Sequence, residues 1–319
     1  MIHVNVCAGG NDWLFADLKS LFLRTAVPGL RVTGTEDPDR SADAWVFIRT
    51  GEATDSPDLA RSVVCIHDLY DHDGIYLPGG DRHAAGRAGA LVLSHPDQRR
   101  ILMAAGIPVD RIRLLERPLG ALSIFTVRTE MPPVFTIGWV GRNHWRKRPE
   151  WLVDCARILY REGTSARFVL VGKELDPCAE AIRGIGLECR LYDRRDHPIE
   201  TYPAFYQQMD CLLVTSVTEA GPLTLFEALA TGLPVASTAV GWAPILARRS
   251  STAVLLGENP QELAENLRRI AGSREVRFRA RREIAQLASE PRLDTWPGQV
   301  LQLAASLIPA ARQQRSYAG

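Results

Sequence analysis

Short apolar runs recur along this chain and alternate with longer segments of mixed polarity. In the first half the runs are residues 2–7, 43–48, 62–68 and 89–94. Runs that are apolar on both faces suit strands covered by helices on both sides of a sheet. The alternation therefore predicts an α/β protein built on parallel sheets.

Length and a stiff dipeptide predict two domains. The chain has 319 residues, about twice the length of a common single domain. Pro132-Pro133 suit a linker, and a second series of strands and helices begins directly afterwards. We expect Rossmann-like domains at 1–132 and 133–290, followed at 291–319 by a C-terminal helix that crosses back to the first domain.

Composition narrows the class of function. Charged residues make up 24% of the chain, the net charge is +1, and neither half is polybasic. This balance gives no support for attraction to nucleic acid or anionic lipid. We therefore expect nucleic-acid binding to be absent and find no polybasic membrane surface.

The cysteines, histidines and apolar runs give further expectations. The six cysteines form no C-x-x-C pair and lie mostly in apolar runs, which predicts buried, reduced thiols. The seven histidines show no H-E-x-x-H or similar spacing, so we predict no metal site. No leader pattern and no apolar stretch long enough for a membrane span is evident, which makes the cytoplasm the expected location.

The most informative segment, residues 215–238, predicts a strand end, a turn and a helix in one βα unit. Gly221 permits a sharp turn, Pro222 suits the first helical position, and Gly232 suits the C-terminal cap. The aromatic residues just upstream, at 200–209, are interpreted as core packing and not as a platform for stacking a base.

The start of that helix predicts an anion site. Backbone N–H groups of Leu223, Thr224 and Leu225 are expected to point out of the first turn, where the helix dipole favours a phosphate. Glu227 follows one turn later among apolar neighbours. A buried carboxylate there needs a partner, and the hydroxyls of a sugar would serve.

Two motifs in the second half resemble a known family. Glu219 and Glu227 stand in an E-x7-E arrangement followed by EALATGLPV, and Arg142 and Lys147 stand in a G-R-x4-K arrangement. Both are similar to motifs of the retaining glycosyltransferase family 4, which has the GT-B fold. The resemblance implies that Arg142 and Lys147 bind the donor diphosphate, that Glu227 holds ribose and that Glu219 contacts the transferred sugar.

The first half carries weaker parts of the same resemblance. Gly9-Gly10 directly follow the first strand and look like the family's glycine loop near the donor phosphates. His67 and Asp68 end a later strand and are similar to the family's His-Asp position beside the reacting sugar, His67 as a catalytic residue and Asp68 at the acceptor. Lys173 also follows a strand, and we expect it to touch the nucleotide.

Composition adds a separate indication for Lys147. Only three of the 38 basic residues are lysines, at positions 19, 147 and 173. An ammonium binds phosphate as a compact point charge, which a planar guanidinium does not reproduce.

The resemblance implies a GT-B fold of two Rossmann-like domains whose parallel sheets face across a cleft. The implied activity is the transfer of a sugar, with retention of configuration and without a metal or cofactor, from a nucleotide-diphosphate sugar. The acceptor is open between a small molecule, a saccharide and a natural product. Two alternatives stay open: a nucleotide-sugar epimerase or hydrolase on the same scaffold, and an inactive protein that binds a nucleotide sugar.

Overall fold

Two six-stranded parallel sheets form the framework of the computed structural model. It describes residues 1–9, 13–67, 79–110, 112–116, 121–193, 199–219, 221, 223–289 and 293–309. The first sheet contains β1 (Ile2–Cys7), β2 (Leu30–Thr35), β3 (Ala44–Phe47), β4 (Ser62–Ile66), β5 (Ala90–Leu93) and β6 (Arg113–Glu116). The second contains β7 (Thr136–Val140), β8 (Arg167–Gly172), β9 (Glu188–Asp193), β10 (Cys211–Val214), β11 (Val235–Ser237) and β12 (Val254–Leu256).

Helices connect the strands, as the alternating pattern predicts, and the α/β class is confirmed. The first helices are α1 (Trp13–Arg24), α2 (Gly79–Arg87), α3 (Pro96–Ala104), α4 (Pro149–Arg161), α5 (Asp176–Ile185) and α6 (Tyr202–Tyr206). The remaining helices are α7 (Leu223–Ala230), α8 (Ala243–Arg249), α9 (Pro260–Gly272), α10 (Arg281–Gln286) and α11 (Trp296–Ser306).

Each sheet has one point where the strand order reverses. The first sheet runs β2-β1-β3-β4-β5-β6, and the second runs β12-β11-β10-β7-β8-β9. The reversals therefore lie between β1 and β3 and between β10 and β7. Ligands of open α/β sheets bind beside such reversals, at the carboxyl ends of the strands.

The structure divides into two compact units. One consists of Met1–Leu119 together with Leu293–Gly319, and the other is Gly120–Arg292. Helix α11 belongs to the first unit, where it packs against α1, β1, β3 and β4. The assignment of acceptor binding to the expected domain 1–132 and of donor binding to 133–290 stays a prediction.

A buried ion pair explains why residues 121–132 lie with the second unit. Arg128, fully buried, donates from Nη1 to Oδ1 of Asp210 over 3.0 Å. The other carboxylate oxygen of Asp210 accepts a 2.9 Å bond from the backbone N–H of Thr136, at the start of β7. Nη2 of Arg128 also donates a hydrogen bond to the carbonyl oxygen of Arg277, which belongs to the second unit as well.

Candidate functional site

Lys147 and Glu219 meet at the reversal point of the second sheet. Lys147 follows β7 and Glu219 follows β10, and Nζ of Lys147 lies 2.5 Å from Oε1 of Glu219. The same oxygen accepts a 2.8 Å bond from the hydroxyl of Ser216. Both charged side chains are partly exposed, so this pair is open to a ligand at the edge of the sheet where ligands bind.

Two further bonds hold the loops after β7 and β10 together. The hydroxyl of Thr215 donates to the carbonyl oxygen of Lys147 over 2.5 Å and accepts a 3.0 Å bond from Nε1 of the buried Trp139. The backbone N–H of Val217 donates to the carbonyl oxygen of Arg146 over 2.7 Å. These contacts fix Lys147 and Glu219 on a rigid support, and sequence reasoning had not singled out Thr215 or Ser216.

The loops after β7 and β8 are also joined, which brings Arg142 and Lys173 to neighbouring positions. The backbone N–H of Asn143 donates to the carbonyl oxygen of Lys173 over 3.0 Å. Gly172 makes this approach possible, since a Cβ there would lie 1.4 Å from the carbonyl oxygen of Gly141. Arg142 is exposed and, in the described part of the chain, has no side-chain hydrogen bond or ion pair. Its guanidinium is available to an anion.

The sequence predicts a helix here, and helix α7 begins at Leu223 and ends at Ala230. Pro222, expected at the first helical position, lies outside the described residues. Gly232 terminates it with a φ of 79°, and a Cβ at this position would lie 2.7 Å from the carbonyl oxygen of Arg281. In the first turn Leu223 and Thr224 are half-buried and Leu225 is buried. Gly221 precedes the helix and is half-buried too. The donor-binding role of these four residues stays a prediction.

Glu227 lies inside this helix and is 5% exposed. Its Oε2 accepts a 2.6 Å hydrogen bond from the hydroxyl of Tyr206, which is itself fully buried. Burial, together with the neighbouring Glu227 carboxylate, raises the pKa of Tyr206 well above its usual value. Tyr206 therefore keeps its proton and acts as a hydrogen-bond donor to Glu227.

Tyr206 was not predicted as a site residue, although one signal pointed to such a partner. A carboxylate among Leu225, Phe226, Ala228 and Leu229 requires a hydrogen-bond donor. The sequence predicts that Glu227 needs a donor but does not identify it, because Tyr206 lies on a different helix, the short α6.

At the reversal point of the first sheet, Gly9 contacts a carboxylate. Its backbone N–H donates a 2.7 Å bond to Oε1 of Glu52, in the 3₁₀ helix Thr50–Asp55 that follows β3. Burial raises the pKa of Glu52, and the bond from Gly9 and the charges of Arg49 and Lys19 partly offset this shift. Sequence reasoning missed Glu52, for which no motif gave a signal.

His67 directly follows β4 and lies among aromatic rings. Its ring centroid is 5.7 Å from that of Phe15 and 5.9 Å from that of Trp296, on α11. Burial lowers the pKa of His67 to about 4, a shift that the backbone of Ile48 partly offsets. His67 is therefore neutral at pH 7. Two neighbouring predicted site residues, Gly10 and Asp68, lie outside the described residues.

Three further features of the described residues concern metal ligands, membrane helices and cysteines. None of the described His, Cys, Asp and Glu residues form a group of three or more that could hold a metal ion. No helix among the described residues combines the length and apolar character that a membrane crossing requires. All six cysteines are buried and none forms a disulfide, which confirms that sequence prediction.

Comparison with known proteins gives a family match for part of the chain. Residues 134–273, which carry Arg142, Lys147, Glu219 and Glu227, match the family Glycosyl transferases group 1. A D-inositol 3-phosphate glycosyltransferase from Corynebacterium efficiens is 30% identical over 154 residues, 45% of this chain and 36% of that protein. The chain thus spans well under half of the curated relatives it matches.

Solved structures match nearly the whole chain. Sucrose-phosphate synthase from Thermosynechococcus elongatus has a TM-score of 0.75 at 14% identity, over 96% of this chain and 99% of that one. HepE from Anabaena, solved in complex with UDP-glucose, has a TM-score of 0.71 at 14% identity, over 96% and 100% of the two chains. This chain therefore has the GT-B fold, and its residues 134–273 carry the sequence pattern of Glycosyl transferases group 1.

Proposed function

We propose that the protein is a retaining glycosyltransferase of family 4 that needs no metal or cofactor and takes its sugar from a nucleotide-diphosphate donor. The observation that carries this proposal is the contact between Lys147 and Glu219 at the reversal point of the second sheet. Two motifs far apart in the sequence meet there, as binding of one ligand by both would require.

The positive groups at this sheet edge suit a diphosphate. Lys147 and the exposed Arg142 supply full charges, and the first turn of α7 supplies backbone N–H groups at the positive end of a helix dipole. Lys173, on the loop joined to that of Arg142, extends the basic edge. Such groups stabilise the charge that builds on a leaving diphosphate.

The two glutamates suit the hydroxyl-bearing parts of the donor. Glu227, held by Tyr206, would accept hydrogen bonds from ribose hydroxyls, and Glu219 from those of the transferred sugar. Glu219 is paired with Lys147, so a bound diphosphate would compete with it for the ammonium.

The proposed reaction proceeds on the front face of the sugar. The bond between the anomeric carbon and the diphosphate oxygen breaks as a bond to the acceptor oxygen forms, and the acceptor proton passes to the leaving phosphate oxygen. Atoms and charges balance without a protein nucleophile. Neutral His67, with Asp68, would orient groups beside the reacting sugar, while Gly9 and Gly10 would lie near the donor.

The names of similar proteins suggest the first substrates to test. HepE was solved with UDP-glucose and the Corynebacterium relative is named for D-inositol 3-phosphate, so we propose a UDP-sugar donor and a polyhydroxylated acceptor. We also propose that the protein works in the cytoplasm, because six buried unpaired thiols suit a reducing compartment.

The donor site is tested by calorimetric titration of UDP, GDP, ADP and dTDP and their sugars. We expect one nucleotide to bind at micromolar concentration and Glu227→Ala to weaken it at least tenfold. Glu180→Ala, which removes an exposed glutamate from helix α5, is the matched control. Absence of binding by every nucleotide would contradict the proposal.

The chemistry is tested with the donor that binds. Analysis of the first product by proton NMR should show the anomeric configuration of the donor. Release of free sugar at a rate independent of any acceptor would instead support a hydrolase, and binding without turnover would support an inactive binding protein.

A further inference from the structure

Buried side-chain atoms without a hydrogen-bond partner occur on four residues of the first unit. They are Oε2 of Glu52, one ring nitrogen of His67, Nε1 of Trp296 and Oε1 of Gln299, while the other ring nitrogen of His67 donates to the backbone of Ile48. Elsewhere in the described residues the only such atoms are the Nε atoms of two arginines. Buried polar atoms are almost always paired in folded proteins, so four on four residues of one unit require an explanation.

The four residues lie on neighbouring elements. The 3₁₀ helix that carries Glu52 packs against β4, the strand directly followed by His67. Helix α11 packs against β1, β3 and β4, and the ring of its first residue, Trp296, contacts the ring of His67. Gln299 lies one turn after Trp296 and so shares its face of the helix.

This cluster also lies at a favoured ligand position. Glu52 accepts the N–H of Gly9 at the carboxyl ends of β1 and β3, where the strand order of the first sheet reverses. Glu52, His67 and, through its ring contact with His67, Trp296 therefore lie at the sheet edge where ligands bind.

The hydrogen-bonding capacity of the cluster defines the ligand. Glu52 as a carboxylate, Gln299 through Oε1 and the second ring nitrogen of neutral His67 can only accept, whereas Trp296 can only donate. A hydroxyl both donates and accepts, so several hydroxyls on one small framework match this set. A phosphate has few protons to donate at neutral pH and would face the carboxylate of Glu52.

We propose that Glu52, His67, Trp296 and Gln299 form a pocket that binds a neutral polyol, which is the acceptor alcohol of the transferase. This inference rests on the proposed function. It assigns acceptor recognition to Glu52, from the turn after β3, and to Trp296 and Gln299, from helix α11.

The test is saturation-transfer NMR on the full chain with myo-inositol, a neutral cyclic hexol, as the probe. We expect millimolar binding to the wild type, and Trp296→Phe and Gln299→Met should each weaken it about fivefold, the loss expected for one hydrogen bond. Gln302→Met removes an exposed glutamine from the same helix and should bind like the wild type. Inorganic phosphate at equal concentration should not displace the probe.

Three results would overturn the inference. The wild type could show no saturation up to about 50 mM probe, both pocket variants could bind the probe as tightly as the wild type does, or phosphate could displace the probe. Melting curves control for folding. Gln299→Met removes an unpaired buried oxygen and should leave the melting temperature unchanged or raise it. Trp296→Phe should lower it, because the smaller ring leaves a cavity in the core. If Trp296→Phe fails to fold, Gln299→Met carries the test.

Nucleotide titration of the same samples separates this inference from the proposed function. Nucleotide binding without polyol binding would overturn the pocket alone. Polyol binding without nucleotide binding would overturn the transferase proposal and the acceptor role assigned to the pocket, leaving a polyol site.

Discussion

The hydroxyl of Tyr206 donates a 2.6 Å hydrogen bond to Oε2 of Glu227, and both side chains are buried in the second unit. Tyr206 also packs edge to face on Phe125, with ring centroids 5.4 Å apart, which restricts the direction of its hydroxyl. The bond therefore orients the carboxylate that we assign to ribose.

Tyr206→Phe should weaken nucleotide binding, because it removes the bond that orients Glu227. We expect the dissociation constant of UDP, measured by calorimetry, to rise about fivefold to tenfold, in line with the loss of one ordinary hydrogen bond. Tyr192→Phe removes a 3.1 Å hydroxyl bond to the neutral Gln208 and serves as the control. Equal UDP affinity in Tyr206→Phe and the wild type would contradict the positioning role.

Substitutions of Lys147 and Glu219 should have different effects on UDP binding. Lys147→Met removes the charge assigned to the diphosphate and should raise the dissociation constant at least tenfold. Glu219→Gln removes the competing carboxylate, so UDP should bind as tightly as to the wild type or a few times more tightly, while sugar transfer falls. Titration calorimetry and a transfer assay measure the two effects, and loss of UDP binding in Glu219→Gln would count against the assignment.

Asp210→Asn should strongly destabilise the second unit. The change leaves the buried guanidinium of Arg128 without its countercharge, a loss that costs about 3–5 kcal/mol in buried pairs. The free energy of unfolding in urea measures this cost. The control is Asp154→Asn, which breaks an exposed pair with Arg157 and should have little effect. A similar small effect at Asp210 would show that the buried pair contributes no more than the exposed one.

His67 should make the stability of the protein depend on pH. Its pKa in the folded state, about 4, lies below the ordinary 6.5, so the unfolded chain binds the proton more readily. The contribution of neutral His67 to the free energy of unfolding is complete above pH 6.5. It is lost as pH falls towards 4, which lowers the free energy of unfolding by up to about 3 kcal/mol. His67→Gln should flatten the free energy of unfolding across this range. His83→Gln, at an exposed position of helix α2, should not.

The sequence predicts the framework and much of the donor site for physical reasons. Strands β7 and β10 are parallel and end at one edge of the second sheet, so residues that follow them are expected to meet, as Lys147 and Glu219 do. Strands β2 and β12 were not predicted. Both are edge strands. None of the residues of β2 is buried, so β2 produces no apolar run, and β12 has only three residues, which is short for a strand.

The unpredicted parts of the candidate sites depend on tertiary packing. The aromatic residues near Tyr206 were interpreted as core packing, which holds for Phe205, whereas the hydroxyl of Tyr206 has a specific partner on another helix. The N–H of Gly9 binds Glu52, which comes from 43 positions later in the chain. Contacts of this kind follow from the fold and leave no local sequence pattern.

The return of helix α11 to the first unit has a consequence for synthesis on the ribosome. The first unit begins to emerge first, but Trp296 and the rest of α11 become available only after the whole of the second unit has been translated. The second unit is continuous in sequence and can fold as soon as it has left the exit tunnel. Nascent chains should therefore acquire protease resistance in the second unit before the first, the reverse of their order of synthesis.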